Sequence, residues 1–401
     1  MLKRVTLENF FSFGRKTEIE LHPNVNVLVG INGSGKSNFL KAIQLLYEGI
    51  SGKGLEKLLL QEWGGFDTVA FNKFLSNKIQ LSFEFDRNVF QRNEKSYESD
   101  NLSCPVYEIN IHKAGDLNYY LHERVYDSVT KEEFLNIKNA EGFLKDGAEN
   151  QGNEEFTMPK NSNLKTFELV LRQLYDQFSY FSISSFREIV SELRVYRQFD
   201  LSENSPPRKL QSYSTEKVLN ANGDNLCTIL QNIENNHISD FESLMREIEQ
   251  INPMFKRIGF ARLGADSQIT LIEKHLNKSI RAQHISDGTL RYILLLSILF
   301  NPDQNFLVAL DEPEQGLHPD MMNSIAEFVR NSQKENVQYL FATHSPLFLN
   351  RFEIEEILIF EKDKDNQTQV KVKSEEDFED WNDDYLAGQL WLRGALGGKR
   401  W

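Results

Sequence analysis

Polar and apolar positions alternate from Lys3 to Phe10 (KRVTLENF), the pattern of a half-buried strand. A second strand pattern, Glu18 to Val29, closes in the apolar run Val25-Asn26-Val27-Leu28-Val29. A glycine-rich turn follows. Apolar residues at Phe39, Leu40, Ile43 and Leu46 then predict a helix from Lys36 to Tyr47. From Thr68 to Val125 the segments KIQLSFEFD, VYEINIH and LNYYLHERV alternate and predict a β-rich stretch. Ser128 to Ser162 is polar, with KDGAENQGNEE as a surface loop or disordered excursion. Leu164–Phe178 reads as a helix, FSYFSIS as a short strand, and Leu201–Tyr213 as a Ser/Pro loop. Helices are expected at Leu226–Ile233 and Ile238–Ile251, and strands at Phe255–Arg262, Gln268–Lys274 and Ser279–Ile285. After the informative blocks described below, the tail reads as a strand pair (EILIFEKD and TQVKVKS), an acidic segment Glu375–Asp384 and an apolar helix LAGQLWLRGAL. No repeat period or long heptad seam is present.

At 401 residues the chain exceeds one ordinary domain. Four segments are expected: 1–130, an N-terminal half with a β-rich subdomain; 131–260, an inserted lateral, mainly helical region; 261–361, a C-terminal half; and 362–401, a strand and helix tail. A net charge of −14 excludes a surface that is basic all over, so nucleic acid would need a local basic face or a partner. Cys104 and Cys227 lack the close spacing of a metal or redox motif and read as reduced structural thiols. The N-terminus has no uninterrupted apolar core of a signal peptide, and the longest apolar run, Tyr292 to Phe300, is too short to span a bilayer. A cytoplasmic location without membrane contact is the expectation.

Gly30-Ile31-Asn32-Gly33-Ser34-Gly35-Lys36-Ser37 is a full G-x-x-x-x-G-K-[ST], preceded by an apolar strand and followed by a helix. Its glycines let backbone N–H groups close around phosphate oxygens, and the helix adds its positive end. Lys36 is expected at the β- and γ-phosphates and the Ser37 hydroxyl at Mg²⁺. Phe306-Leu307-Val308-Ala309-Leu310-Asp311-Glu312-Pro313 is an apolar strand ending in two carboxylates. Alone it is as well read as a strand ending in a solvated acidic turn. With a phosphate loop upstream, Asp311 reads as the metal residue and Glu312 as the carboxylate that polarises the attacking water. His284-Ile285-Ser286-Asp287-Gly288 opens the helix at Tyr292–Phe300. Ser286 there is equally good as a simple N-cap or as part of an anion site docked on a second subunit's γ-phosphate. Tyr339-Leu340-Phe341-Ala342-Thr343-His344 is a strand ending in a histidine whose neutral imidazole could meet the γ-phosphate or the lytic water.

In the order phosphate loop, Ser-x-Gly helix, Walker B and switch histidine, the chain resembles the ABC ATPases, in their RecF-like and OLD-like branch. LENFFSFG with GINGSGKSNFLKAI, ISDGTLRYILLLSIL, LDEPEQGLHP, ATHSP and GDNLCTILQNI carry the resemblance. It implies an α/β fold: a P-loop ABC-type ATPase head with a mixed core sheet, an antiparallel β subdomain and an inserted helical lateral lobe. It also implies an ATPase using ATP and Mg²⁺, with Gly30 to Asn38 binding ATP in cis. Ser286, Asp287 and Gly288 cap the γ-phosphate in trans, Asp311 serves as metal residue, Glu312 as catalytic carboxylate and His344 as switch. Asp287 replaces the first glycine of the usual Ser-Gly-Gly. Gln61, Gln80 and Gln177 are alternatives for the Q-loop. The implied assembly is a homodimer, alone or within a higher assembly. Too few residues follow His344 for a Toprim domain, so a nuclease effector is expected on a separate chain of a defence or DNA-processing system. The alternative is a stand-alone RecF-like repair ATPase that binds DNA directly.

Overall fold

The computed structural model describes residues 1–71, 76–86, 104–115, 118–145, 155–157, 164–174, 181–304, 306–331, 336–378 and 386–397. Strands and helices are numbered in chain order. A six-stranded sheet at the centre has the order β10-β15-β16-β3-β17-β18. These are Arg194–Tyr196, Phe306–Asp311, Val337–Ala342, Val25–Gly30, Ile357–Lys362 and Thr368–Val372. The first five run parallel, and β18 turns back antiparallel on β17. β3, β15 and β16 read as near-continuous apolar runs because a parallel sheet is covered on both faces.

The alternation of side chains along these strands sorts them between two cores. Leu28, Leu307, Ala309, Leu340, Ala342, Leu358 and Phe360 face one core. It also holds the apolar stripe of α1 (Lys36–Ile50) and the inner face of a second sheet. Val27, Val29, Val308, Leu310, Phe341 and Ile359 face the other core. That core is closed by α5 (Leu226–Asn236), α6 (Ile238–Ile251), α7 (Asp287–Leu299) and α8 (Pro319–Asn331).

The second sheet is antiparallel, with eight strands in the order β2-β1-β4-β5-β6-β7-β8-β9. They are Thr17–Glu20, Leu2–Glu8, Lys78–Phe85, Pro105–Lys113, Tyr119–Asp127, Glu133–Lys138, Glu141–Lys145 and Glu155–Thr157. A small third sheet joins β11 (Gln211–Ser212), β13 (Asp266–Glu273) and β12 (Phe255–Leu263), with β14 (Ile280–Arg281) on β13. Short helices complete the chain: α2 (Phe66–Val69), α3 (Val170–Gln173), α4 (Phe181–Ser191), α9 (Pro346–Leu349) and α10 (Ala387–Leu392). Among the described residues, no helix is long and apolar enough to cross a membrane.

Several expectations need correction. FSYFSIS is not a strand where it is described: from Phe181 the chain is α4, whose buried Phe186 and Val190, with Leu193 just beyond, follow helical spacing. Among the described residues of Leu164–Phe178, only Val170–Gln173 is helical, because the preceding residues lie along β6, with the Leu121 N–H on the Thr166 carbonyl and the Tyr119 hydroxyl on the Phe167 carbonyl. The polar stretch after Ser128 contributes β7, β8 and β9, since its apolar residues Leu135, Ile137 and Leu144 have a sheet face to bury against. A division at residue 130 therefore does not coincide with a sheet edge, because β7 pairs with β6. Ser279–Ile285 keeps only two strand residues before a 3-10 turn at Ala282–His284. Most of KDGAENQGNEE, much of the acidic tail segment, and Gln177 lie outside the described residues.

One buried charge in this framework has a measurable consequence. Glu123, in β6, is 1% exposed. It accepts hydrogen bonds from the Tyr107 hydroxyl at 2.7 Å and the Val170 N–H at 2.8 Å, capping α3. Burial pushes its carboxyl up to about 7 despite these donors. The folded protein thus binds the proton more tightly than the unfolded chain, so stability falls as pH rises from about 4.5 through 7. Glu123→Gln is expected to raise stability at pH 8 by on the order of 3 kcal/mol at most, and the melting temperature with it, and to gain little at pH 4.5. Thermal melts at the two pH values check this. Equal melting temperatures at pH 8 would remove the buried charge as the cause.

Candidate functional site

Parallel pairing brings the carboxyl ends of β3, β15 and β16 to one edge of the central sheet: Leu28 stands opposite Ala342, and Ala342 opposite Asp311. Ligands of open α/β sheets gather at such an edge. Gly30 ends β3, the loop Ile31–Gly35 follows, and Lys36 begins α1. Asn32 and Gly33 are exposed at the loop tip, whereas Ser34, Gly35 and Lys36 are buried. The Lys36 ammonium donates to the Gly30 carbonyl at 2.9 Å and approaches that of Ile31 at 3.4 Å. Burial lowers its pKa to about 8, against the pull of Asp311, Glu312 and Glu314. The lysine therefore rests on the loop's own carbonyls.

Ser37 Oγ lies 3.4 Å from Asp311 Oδ1, so a hydroxyl and a carboxylate from positions 274 residues apart face one point. Burial raises the Asp311 pKa, a shift opposed by the nearby Arg197 guanidinium. Oxygen donors of this kind suit Mg²⁺, which keeps most of its shell as water and phosphate rather than protein. Glu312 follows with φ of 51°, a left-handed conformation costly for a non-glycine residue, held by its N–H on the Ala342 carbonyl at 2.8 Å. His344 Nε2 stands 3.7 Å from Glu312 Oε1. Burial and the Lys36 charge lower the histidine's pKa, which favours the neutral ring.

The phosphate loop, Asp311, Glu312 and His344 thus converge. Ser286, Asp287 and Gly288 stand apart from this group. Ser286 is the N-cap of α7, accepting from the Thr289 N–H at 3.2 Å, and both Ser286 and Asp287 are exposed. Gly288 faces the loop after β15, where an added Cβ would lie 2.9 Å from the Gly316 carbonyl. The turn is shaped from behind by Arg208. Its side chain is 4% exposed, donates to the Ala282 and Ile285 carbonyls at 2.7 Å each, and pairs with Asp287. That pairing offsets a carboxylate placed where an anion site would be expected.

Residues not singled out from the sequence also belong here. Glu314 Oε1 accepts from the Thr343 hydroxyl at 2.9 Å and the His344 N–H at 2.7 Å, fixing the histidine loop. β10 lies beside β15, so Arg197 Nε reaches to 3.8 Å from Asp311 Oδ2 and Gln198 follows at the same edge. Of the glutamines expected there, Gln80 stands in the antiparallel sheet opposite Glu8 and Asn110, and Gln61 is exposed on a helical turn, Lys57–Glu62. A three-residue strand carries too little periodicity to reveal Gln198 from sequence.

Comparison with known proteins bears on the family and the fold. The chain is 22% identical over 390 residues to an ATP/GTP phosphatase of Helicobacter pylori, covering 94% of this chain and 93% of that one. It is 25% identical over 358 residues to the endonuclease GajA of Bacillus cereus, covering 86% of this chain and 55% of GajA. Among solved structures, an Smc head bound to the C-winged helix domain of ScpA superimposes with a TM-score of 0.56 at 13% identity, covering 93% of this chain and 98% of that one. The family described as "AAA domain, putative AbiEii toxin, Type IV TA system" matches residues 25–350. The chain belongs to that family, as an ATPase with a P-loop, ABC-type head fold.

Proposed function

We propose that two copies of this chain enclose ATP between them, each copy supplying the phosphate loop of one site and the Ser286–Gly288 turn of the other. The observation that carries this reading is the separation of the two halves. The sheet edge gathers Lys36, Ser37, Asp311, Glu312 and His344, while Ser286 and Asp287 are exposed, and the hydrogen bonds of their turn run within it and to Arg208 behind it rather than to that edge. In the closed pair, the loop's N–H groups and Lys36 bind the β- and γ-phosphates. Ser37 and Asp311 would hold Mg²⁺, which when bound would supply neutralisation of charge on the phosphate oxygens. Glu312 orients the attacking water, neutral His344 hydrogen-bonds at the γ-phosphate, and Gln198 takes the Q-loop position. The Ser286 hydroxyl and the start of α7 cap the γ-phosphate from the partner copy. Hydrolysis then removes the group that joins the copies, so its output is a change of state.

Complementation tests this directly. Lys36→Ala and Ser286→Arg are each expected to abolish turnover alone. A mixture of the two restores activity, because a mixed pair contains one site with an intact loop and an intact turn. A mixture as inactive as its components, or full activity of Ser286→Arg alone, sinks the two-copy site.

The switch is proposed to act on a separate effector nuclease in a defence or DNA-processing system. The support is the match to 55% of an endonuclease. Co-purification with the product of the neighbouring gene tests it, and the absence of any assembly counts against it. The RecF-like alternative predicts direct DNA binding that weakens steeply with salt. A net charge of −14 disfavours it.

A further inference from the structure

The tail hairpin β17–β18 does more than extend the central sheet: it reaches the phosphate loop. Thr368, the first residue of β18, is fully buried. Its N–H donates to the Ser12 carbonyl at 2.8 Å, which anchors the hairpin to the turn after β1. Its Oγ1 lies 2.7 Å from the Ser34 carbonyl and 2.8 Å from Ser12 Oγ. The Asn38 amide in turn donates to Ser12 Oγ at 2.9 Å. One hydroxyl proton cannot serve two acceptors. The Ser34 carbonyl can only accept, so Thr368 donates to it and Ser12 donates to Thr368. The chain of donors therefore runs from Asn38 through Ser12 and Thr368 into the phosphate loop.

The acceptor decides what this does. The Ser34 carbonyl and the Gly35 N–H belong to one planar trans peptide unit and point in opposite directions. Holding the carbonyl on Thr368 aims the Gly35 N–H away from the hairpin, towards the side where the loop closes. Gly35 itself shows how tightly the hairpin presses. Its φ is 116°, and an added Cβ would lie 2.2 Å from Thr368 Oγ1. The loop needs glycine here for the approach of Thr368 as well as for its backbone angle.

The geometry points to Thr368 as a positioning residue that presets the phosphate loop for nucleotide, with Ser12 as its relay to Asn38. This rests on the reading of Gly30–Asn38 as the nucleotide-binding loop. A buried hydroxyl that orders a binding loop acts on affinity, because an unset loop must be ordered at the expense of binding.

The test compares Thr368→Val, which keeps the shape and removes the donor, with Thr368→Ser, which restores it. Read-outs are the dissociation constant of an ATP analogue, KM, kcat and melting temperature. Thr368→Val is expected to raise the dissociation constant about tenfold, with KM rising by more than kcat falls. Thr368→Ser returns affinity to within about threefold of the parent. Ser12→Ala, which leaves the Thr368–Ser34 bond in place, raises it about threefold and decides the matter should Thr368→Val fail to fold. Parental affinity in Thr368→Val overturns the assignment, as does a loss that serine does not reverse. If Thr368→Val does not fold, parental affinity in Ser12→Ala overturns it. A Lys36→Ala control separates the two readings. Undiminished binding there removes the nucleotide loop itself, whereas loss there with parental Thr368→Val removes only the role of the hairpin.

Discussion

Lys36→Ala is expected to weaken nucleotide binding by about thirtyfold to several thousandfold, while leaving the protein folded. Truncating a charged partner of a buried phosphate costs about 2–5 kcal/mol, since the anion keeps its desolvation penalty and loses its counter-charge. The side chain is already desolvated before nucleotide arrives. Its ammonium sits on the Gly30 carbonyl, and burial draws its pKa down to about 8. Much of the cost of burying this charge is thus met in the fold, and phosphate gains a preplaced cation. Equilibrium binding of a fluorescent ATP analogue gives the measurement, with circular dichroism as the check on folding. Affinity within about threefold of the parent would show that phosphate is bound elsewhere.

Glu312→Gln is expected to separate binding from chemistry. Glutamine keeps the size of the side chain but loses the negative charge and basicity that polarise water, which lowers kcat by about a hundredfold to ten-thousandfold. Nucleotide binding persists, so ATP accumulates uncleaved and holds two copies together. Gel filtration with ATP and Mg²⁺ then shows a dimer for Glu312→Gln and a shorter-lived one for the parent. The left-handed backbone at Glu312, φ 51°, is as accessible to glutamine as to glutamate, so a difference between the two proteins is expected to report on the carboxylate. Turnover at the parental rate would reassign the role. Glu314 would then be the carboxylate to examine, although its hydrogen bonds to Thr343 and His344 describe a support for the histidine loop.

The two substitutions act on opposite sides of one event. On the proposed two-copy reading, the first is expected to remove the nucleotide and with it the pairing of copies, whereas the second is expected to preserve both and remove the release. A protein whose output is a change of assembly should therefore lose its effect in the first variant and be locked in the second.

What the sequence alone determined is the chemistry that depends on neighbours along the chain. A phosphate loop needs glycines, a lysine and a hydroxyl within eight residues, because consecutive N–H groups must curl around one anion. An apolar strand ending in two acids reads as a metal and water site only with that loop upstream, since alone it reads equally well as a solvated acidic turn. Helix α1 was legible because burial of one face imposes its period on the residues, and β3 because burial on both faces leaves a continuous apolar run before a glycine-rich turn. FSYFSIS misled for the converse reason: its short alternation mimics a strand, while the helix from Phe181 is set by burial of Phe186 and Val190. Only the tertiary structure decided which distant residues meet. The order β10-β15-β16-β3 puts Arg197 and Gln198 beside Asp311, although β10 is three residues long. The hairpin return of β18 puts Thr368 on Ser34, 334 residues away in sequence. Contacts of that kind leave no local period, since a single hydroxyl or guanidinium is placed by the strand order and not by its neighbours in the chain.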